Sequence, residues 1–123
     1  MVITIYSILL VDDSSFMRKY IANILNDTKK YNVIAEASNG REAILKFHSY
    51  KPDIVIMDVT MDEMDGIQAL KHLVRLYPGI KVIMCSSLGH HFYVDECLKN
   101  GAKAFLVKSN LKEILNVLDK VVA

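Results

Sequence analysis

Five short apolar runs punctuate this chain, and each is followed by a longer stretch in which apolar residues return at every third or fourth place. The runs are Ser7 to Val11 (SILLV), Val33 to Ala37 (VIAEA), Ile54 to Met57 (IVIM), Ile80 to Cys85 (IKVIMC) and Ala104 to Val107 (AFLV). Short, rich in branched residues and with little alternation, they predict strands buried on both faces, as in a parallel sheet. The second is the weakest, because Glu36 interrupts it. Residues 1 to 6 either lengthen the first strand or form a loose end.

The stretches between them predict helices. Phe16, Met17, Tyr20, Ile21, Ile24 and Leu25 fall on one face opposite Arg18, Lys19 and Asn23, with Ser14 or Asp13 able to supply the N-cap. Arg41 to Tyr50 turns Ala43, Ile44 and Phe47 inward. Ile67, Leu70, Leu73 and Val74 form a third face, stopped by Pro78-Gly79. A fourth, through Val94, Cys97 and Leu98, ends at Asn100-Gly101, a pair suited to a left-handed cap. Leu111, Ile114, Leu115, Leu118, Val121 and Val122 make the last and clearest stripe. Strand and helix alternate five times, which implies right-handed crossovers and a doubly wound α/β fold: a five-stranded parallel sheet with helices on both faces. No linker or low-complexity segment interrupts it, so one domain is expected over residues 1–123.

Composition narrows the class. Apolar residues make up 52% of the 123, which argues for a packed core, and the formal net charge of +1 lacks the basic excess of a direct nucleic-acid binder. Cys85 and Cys97 have no CxxC spacing and read as small buried thiols in a reducing compartment. No apolar run approaches ~18 residues, so no membrane insertion is expected, and MVITIY lacks the basic start of a signal peptide. A cytoplasmic location follows as an expectation.

All strands of a parallel sheet point the same way, so the residues ending them share one edge, where open α/β folds keep their ligand sites. That edge collects Asp12 and Asp13, Asp58, Ser86 and Lys108. Each alone is an ordinary strand-end polar residue; together they form a set. Three carboxylates in one place repel unless a cation intervenes, and a hard ion with oxygen ligands, such as Mg2+, resolves the conflict. Lys108 offers a point charge and Ser86 a hydroxyl donor, both suited to a phosphoryl group. The edge thus holds the parts for phosphoryl transfer to a carboxylate nucleophile.

The motifs LLVDDS at 9–14, IVIMDVTMDEMDG at 54–66, VIMCSS at 82–87 and GAKAFLVK at 101–108 resemble those of response-regulator receiver domains of two-component signalling, over nearly the whole chain. DDSSFMRKYI, CSSLG and GAKAFLVK are most similar to chemotaxis-type, single-domain receivers. The resemblance implies strand order 2-1-3-4-5, as in flavodoxin-like folds. It makes Asp58 the phosphoacceptor and Asp13 a direct Mg2+ ligand, with Asp12 acting mainly through water and the Thr60 carbonyl as a further ligand. It implies that Ser86 bonds the phosphoryl oxygen, that Lys108 pairs with its charge, and that Phe105 is the aromatic switch; otherwise Phe105 is a plain core aromatic. The implied partners are a sensor histidine kinase and a downstream protein that reads the surface of the fourth helix, fifth strand and last helix. Catalysis is then confined to the chain's own phosphorylation and dephosphorylation, and the chain is not a metabolic enzyme.

Two positions depart from the family pattern. Asp62 stands where a Pro is usual, adding charge and freedom to the loop bearing Thr60. Ser109 replaces the Pro that usually follows the Lys, so the Lys108–Ser109 bond is expected to be trans or locally strained, since a non-proline cis bond costs about 3–4 kcal/mol. These departures motivate an alternative, a degenerate receiver acting as a constitutive binding module. A phosphohydrolase with an aspartyl nucleophile has little support, because such enzymes commonly carry a DxD on the first strand. His90-His91 with Asp95 and Glu96 reads as a solvated turn, since adjacent helical side chains diverge by about 100°. His48 and His72 lie on helix surfaces with no phosphorelay motif beside them. Met57, Met61, Met64 and Met84 read as packing, and Val117, outside the last stripe, as a dimer or partner contact.

Overall fold

The computed structural model describes residues 3–87 and 91–123. Five strands, β1 (Tyr6–Val11), β2 (Tyr31–Ala37), β3 (Ile54–Asp58), β4 (Val82–Ser86) and β5 (Ala104–Val107), alternate with α1 (Ser15–Asn26), α2 (Gly40–Tyr50), α3 (Gly66–Leu76), α4 (His91–Lys99) and α5 (Ile114–Val122). A 3-10 turn over Lys108–Glu113 leads into α5. The strands pair in parallel in the order β2-β1-β3-β4-β5. This is the flavodoxin-like order that the sequence motifs imply.

The apolar runs are continuous because both faces of the sheet are covered. Leu9, Val11, Val55, Met57, Val82 and Met84 pack with Ala43 and Phe47 of α2, Leu70 and Leu73 of α3 and Cys97 of α4. Their neighbours Ile8, Leu10, Ile54, Ile56, Ile83 and Cys85 point the other way, onto Ile21 and Leu25 of α1 and Ile114 and Leu118 of α5. The period-two alternation of a strand is thus present in direction though invisible in polarity. Only the edge strand β2, covered on fewer sides, alternates buried and exposed positions along its length; Glu36 occupies an exposed one.

Several expectations are corrected. β2 starts at Tyr31, not Val33, and β4 starts at Val82, because Lys81 contributes only its carbonyl, to the Val55 N–H at 2.9 Å. Tyr6 joins β1. Phe16 and Tyr20 are not core residues of α1: they are 75% and 48% exposed, since the helix buries only the narrower stripe of Ile21 and Leu25. Leu98 is likewise exposed. Val117 packs against the core of the α1/α5 face rather than standing outside it. His91, Asp95 and Glu96 lie in helix α4 rather than in a turn, and Leu111 lies in the 3-10 segment before α5. Ser14 caps α1 through the Met17 N–H, Asn39 caps α2, and α4 ends with Gly101 at φ 104° and paired bonds from Gly101 to Leu98 and from Ala102 to Cys97. Met57, Met61 and Met84 are buried, as are both cysteines. His90 and Gly89 lie outside the described residues.

Candidate functional site

β1, β3, β4 and β5 all end on one rim, and the residues that end them are polar. Asp12 follows β1 and is 4% exposed; Asp58 closes β3 at 7%; Ser86 closes β4 at 4%. These are the buried polar or charged residues of the described chain. Asp58 is aligned with Cys85 and Ser86 with Val107, so sheet register sets Ser86 one residue further along on the strand beside Asp58. Lys108, next after Val107, reaches back over the rim. Its Nζ lies 2.7 Å from Asp12 Oδ2 and 3.3 Å from Asp58 Oδ2.

Asp13 is exposed, yet one carboxylate oxygen each from Asp12, Asp13 and Asp58 lies within 4.8 Å of the others. Among the described residues this is the group of three or more such side chains able to share a metal ion; His91, Asp95 and Glu96 form none. Three carboxylates face one ammonium. The donors are all hard oxygens, and the excess negative charge is what a divalent ion of the Mg2+ type would balance. The residues therefore fit such an ion.

The electrostatics are opposed within the site. Burial raises the Asp58 pKa, the Lys108 ammonium pulls it down, and Asp12 and Asp13 push it up, leaving it above the ordinary carboxyl value. Burial lowers Lys108, but its hydrogen bond to Asp12 and the charges of Asp58 and Asp12 outweigh that, so it stays firmly protonated. Beneath them burial pushes the Cys85 thiol up to about 12, which removes it as a nucleophile near neutral pH.

The loop carrying Thr60 is fixed without proline. The Val59 N–H donates to the Cys85 carbonyl, the Gly66 N–H to the Val59 carbonyl and the Gly40 N–H to the Met64 carbonyl, each at 2.8 Å. Asp65 and Gln68 close a capping box at the start of α3. Thr60 itself is exposed, as is Asp62, and Glu63 takes a left-handed φ of 62°. Phe105 lies three residues before Lys108, aligned with Met84 and half-buried against the α2/α3/α4 face. No cis peptide bond occurs among the described residues, so Lys108–Ser109 is trans.

Two contributors are not apparent from the strand-end pattern. Arg18, on the polar face of α1, donates from Nη1 to the Asp12 carbonyl and from Nε to Glu36 Oε1 at 2.8 Å. It thereby ties the loop of the acid pair to β2. Gly66 approaches the Asp58 carbonyl so closely that a Cβ there would sit 2.0 Å from that oxygen. Both fall inside quoted motifs, Arg18 in DDSSFMRKYI and Gly66 at the end of IVIMDVTMDEMDG, but neither ends an apolar run.

Comparison with known proteins agrees with this geometry. Residues 8–119 match the family described as the response regulator receiver domain. The chain belongs to that family. It is 46% identical over 114 residues to the chemotaxis protein CheY of Listeria monocytogenes, covering 92% of this chain and 95% of the relative. The CheY of Thermotoga maritima is 45% identical over 117 residues, with 92% and 97% covered. Among solved structures, a chain of the CheX-CheY-BeF3-Mg2+ complex of Borrelia burgdorferi superposes with a TM-score of 0.89 at 35% identity, covering 96% of this chain and 90% of that one. The chain is a CheY-like receiver with an acidic trio on this rim, and the Borrelia burgdorferi structure is of a complex with BeF3 and Mg2+. No helix among the described residues is long and apolar enough to cross a membrane.

Proposed function

We propose that Asp58 accepts a phosphoryl group from a sensor histidine kinase in the cytoplasm and that the modified chain signals to a downstream protein, as in chemotaxis-type two-component systems. The observation that carries this reading is the joint geometry of the rim: Asp12, Asp13 and Asp58 offer oxygens within 4.8 Å of one another, and Lys108 bridges Asp12 and Asp58.

The carboxylate of Asp58 attacks the phosphorus of a phosphohistidine. A P–O bond forms, the P–N bond breaks, and the imidazole nitrogen leaves with the electron pair. Asp12, Asp13, Asp58 and the Thr60 carbonyl would hold Mg2+, which when bound neutralises phosphoryl oxygens and the crowded carboxylates. Lys108 exchanges the Asp58 carboxylate for a phosphoryl oxygen, and Ser86 donates its hydroxyl to another. The group adds roughly −1.5 to −2 charges, so contacts to Ser86 and Lys108 exist in one state only. They bias the β4–α4 connection and the α4–β5–α5 surface, with Phe105 following by filling or leaving its half-buried pocket. Catalysis is confined to the chain's own phosphorylation and dephosphorylation.

Incubation with acetyl phosphate and Mg2+, followed by intact-mass measurement, tests this. One phosphoryl adduct is expected, dependent on Mg2+ and lost in Asp58→Ala. A wild-type chain as inert as the mutant would overturn the reading and leave a constitutive binding module.

A further inference from the structure

Asp12 is held at every one of its polar groups. Its N–H donates to the Ala37 carbonyl at 3.0 Å. Its carboxylate takes the Ser14 N–H at 2.9 Å on Oδ1 and Lys108 Nζ at 2.7 Å on Oδ2. Its carbonyl takes Arg18 Nη1. We propose that Arg18 is a positioning residue that aims Asp13 through this carbonyl, and that Glu36 keeps the Arg18 guanidinium in place and off the site carboxylates. The proposal deepens the phosphoacceptor reading and rests on it.

Asp13 is exposed, so the backbone that carries it decides where its carboxylate stands. The Asp12 carbonyl and the Asp13 N–H belong to one rigid peptide plane. A donor fixed on that carbonyl therefore fixes the direction in which Asp13 leaves the rim. Arg18 suits the task because its planar fork offers N–H groups in a set relation to one another, and two are used at once. Nη1 meets the Asp12 carbonyl, and Nε meets Glu36 Oε1 at 2.8 Å. The Arg18 side chain is 17% exposed against 48% for Glu36, so the anchor stands at the surface and the donor beneath it. Glu36 is pinned in turn. It is in register with Leu10, two residues before Asp12, and its carbonyl accepts from Lys46 Nζ at 2.6 Å.

The guanidinium is also a hazard to the site. Arg18 lines one small cavity together with Asp12 and Asp58. Released from Glu36, a fork of this kind pairs with a carboxylate at two points and opposes a divalent cation by its charge. The Glu36 carboxylate both holds and balances it.

The test is calorimetric titration of the full chain with Mg2+. Charge alone predicts tighter binding when a nearby cation is removed; positioning predicts the opposite. Arg18→Gln should bind Mg2+ roughly fivefold more weakly than wild type, and Glu36→Gln roughly tenfold or more, because the guanidinium is then free to compete. The double variant should match Arg18→Gln within about twofold, since Glu36 acts only through Arg18. Arg18→Lys keeps the charge but not the fork and should fall with Arg18→Gln. Acetyl phosphate labelling should need correspondingly more Mg2+ to reach half its limiting rate. An ion pair this open adds little stability, so Tm in Glu36→Gln should move by less than about 3 °C, and that variant reports on the site even where Arg18 variants fold poorly. Tighter or unchanged Mg2+ binding in Arg18→Gln overturns the assignment. So does wild-type affinity in Arg18→Lys, or a double variant weakened by the product of the single effects. A wild type that neither binds Mg2+ nor is labelled fails the phosphoacceptor reading and this proposal together; one that does both while every variant matches it fails the proposal alone.

Discussion

Asp58 is a carboxylate that the fold holds at a cost. Burial and the charges of Asp12 and Asp13 raise its pKa, while Lys108 offsets part of the effect. A carboxyl group whose pKa is higher folded than unfolded binds its proton more tightly in the native state. Its stabilising contribution is fully present below the unfolded pKa and is lost as pH rises through the folded one. At neutral pH the ionised group therefore weakens the fold. Asp58→Asn removes that charge at nearly constant volume and leaves Lys108 its closer partner, Asp12. Thermal denaturation should show the variant more stable at pH near 7 by on the order of 1 kcal/mol after solvent screening, or roughly 3 °C in Tm. The advantage should vanish as pH falls below the ordinary carboxyl range, and Mg2+ should narrow it by stabilising the wild type more. A variant less stable at neutral pH would mean that the Lys108 pairing outweighs burial.

At the scale of elements, the connection from β3 to α3 decides how firmly Asp58 is aimed. Gly66 packs directly on the Asp58 carbonyl, with the nearest atoms to a Cβ at 2.0 and 2.9 Å belonging to backbone. Backbone cannot step aside as a flexible side chain would. Gly66→Ala should therefore cost roughly 3 kcal/mol or more in denaturant unfolding and weaken Mg2+ binding measured by calorimetry. Gly79→Ala, with nothing within 4 Å of its Cβ, is the control and should be close to neutral. The acid pair, Asp58, Ser86 and Lys108 were legible because each ends an apolar run, and a parallel sheet delivers such ends to one rim. The order of strands followed from motif resemblance, not from pattern. Gly66 and Arg18 were not legible, because their roles depend on close approach to backbone carbonyls that no periodicity encodes. Tyr31 was missed as a core strand residue for a related reason: its hydroxyl is satisfied by Asp119, 88 positions away. Phe16 and Tyr20 were misplaced because helical spacing places residues on a face without fixing how wide a stripe the sheet covers.

On the whole molecule, the aromatic side chains of α1 are left open to solvent. Phe16 and Tyr20 lie one turn apart on α1, 75% and 48% exposed, and with Met17 they border a groove of about 340 Å³ whose other wall includes Lys108, Leu111 and Lys112. Exposed aromatic side chains gathered in one patch are a common mark of a binding surface. This one includes Lys108, which pairs with Asp12 and Asp58 on the acidic rim. Under the proposed function, a phosphodonor protein covers the ground beside Lys108 to reach Asp58, whereas a small phosphodonor such as acetyl phosphate does not. The double variant Phe16→Ala and Tyr20→Ala should therefore slow phosphotransfer from the cognate kinase by roughly tenfold or more, the cost expected when aromatic anchors are truncated. Labelling of Asp58 by acetyl phosphate should be unchanged, and so should Tm, because neither side chain belongs to the core. Equal slowing with both donors would place the fault in the acceptor site itself. No slowing with either would free this face of any part in kinase docking and move that contact to another side of the rim.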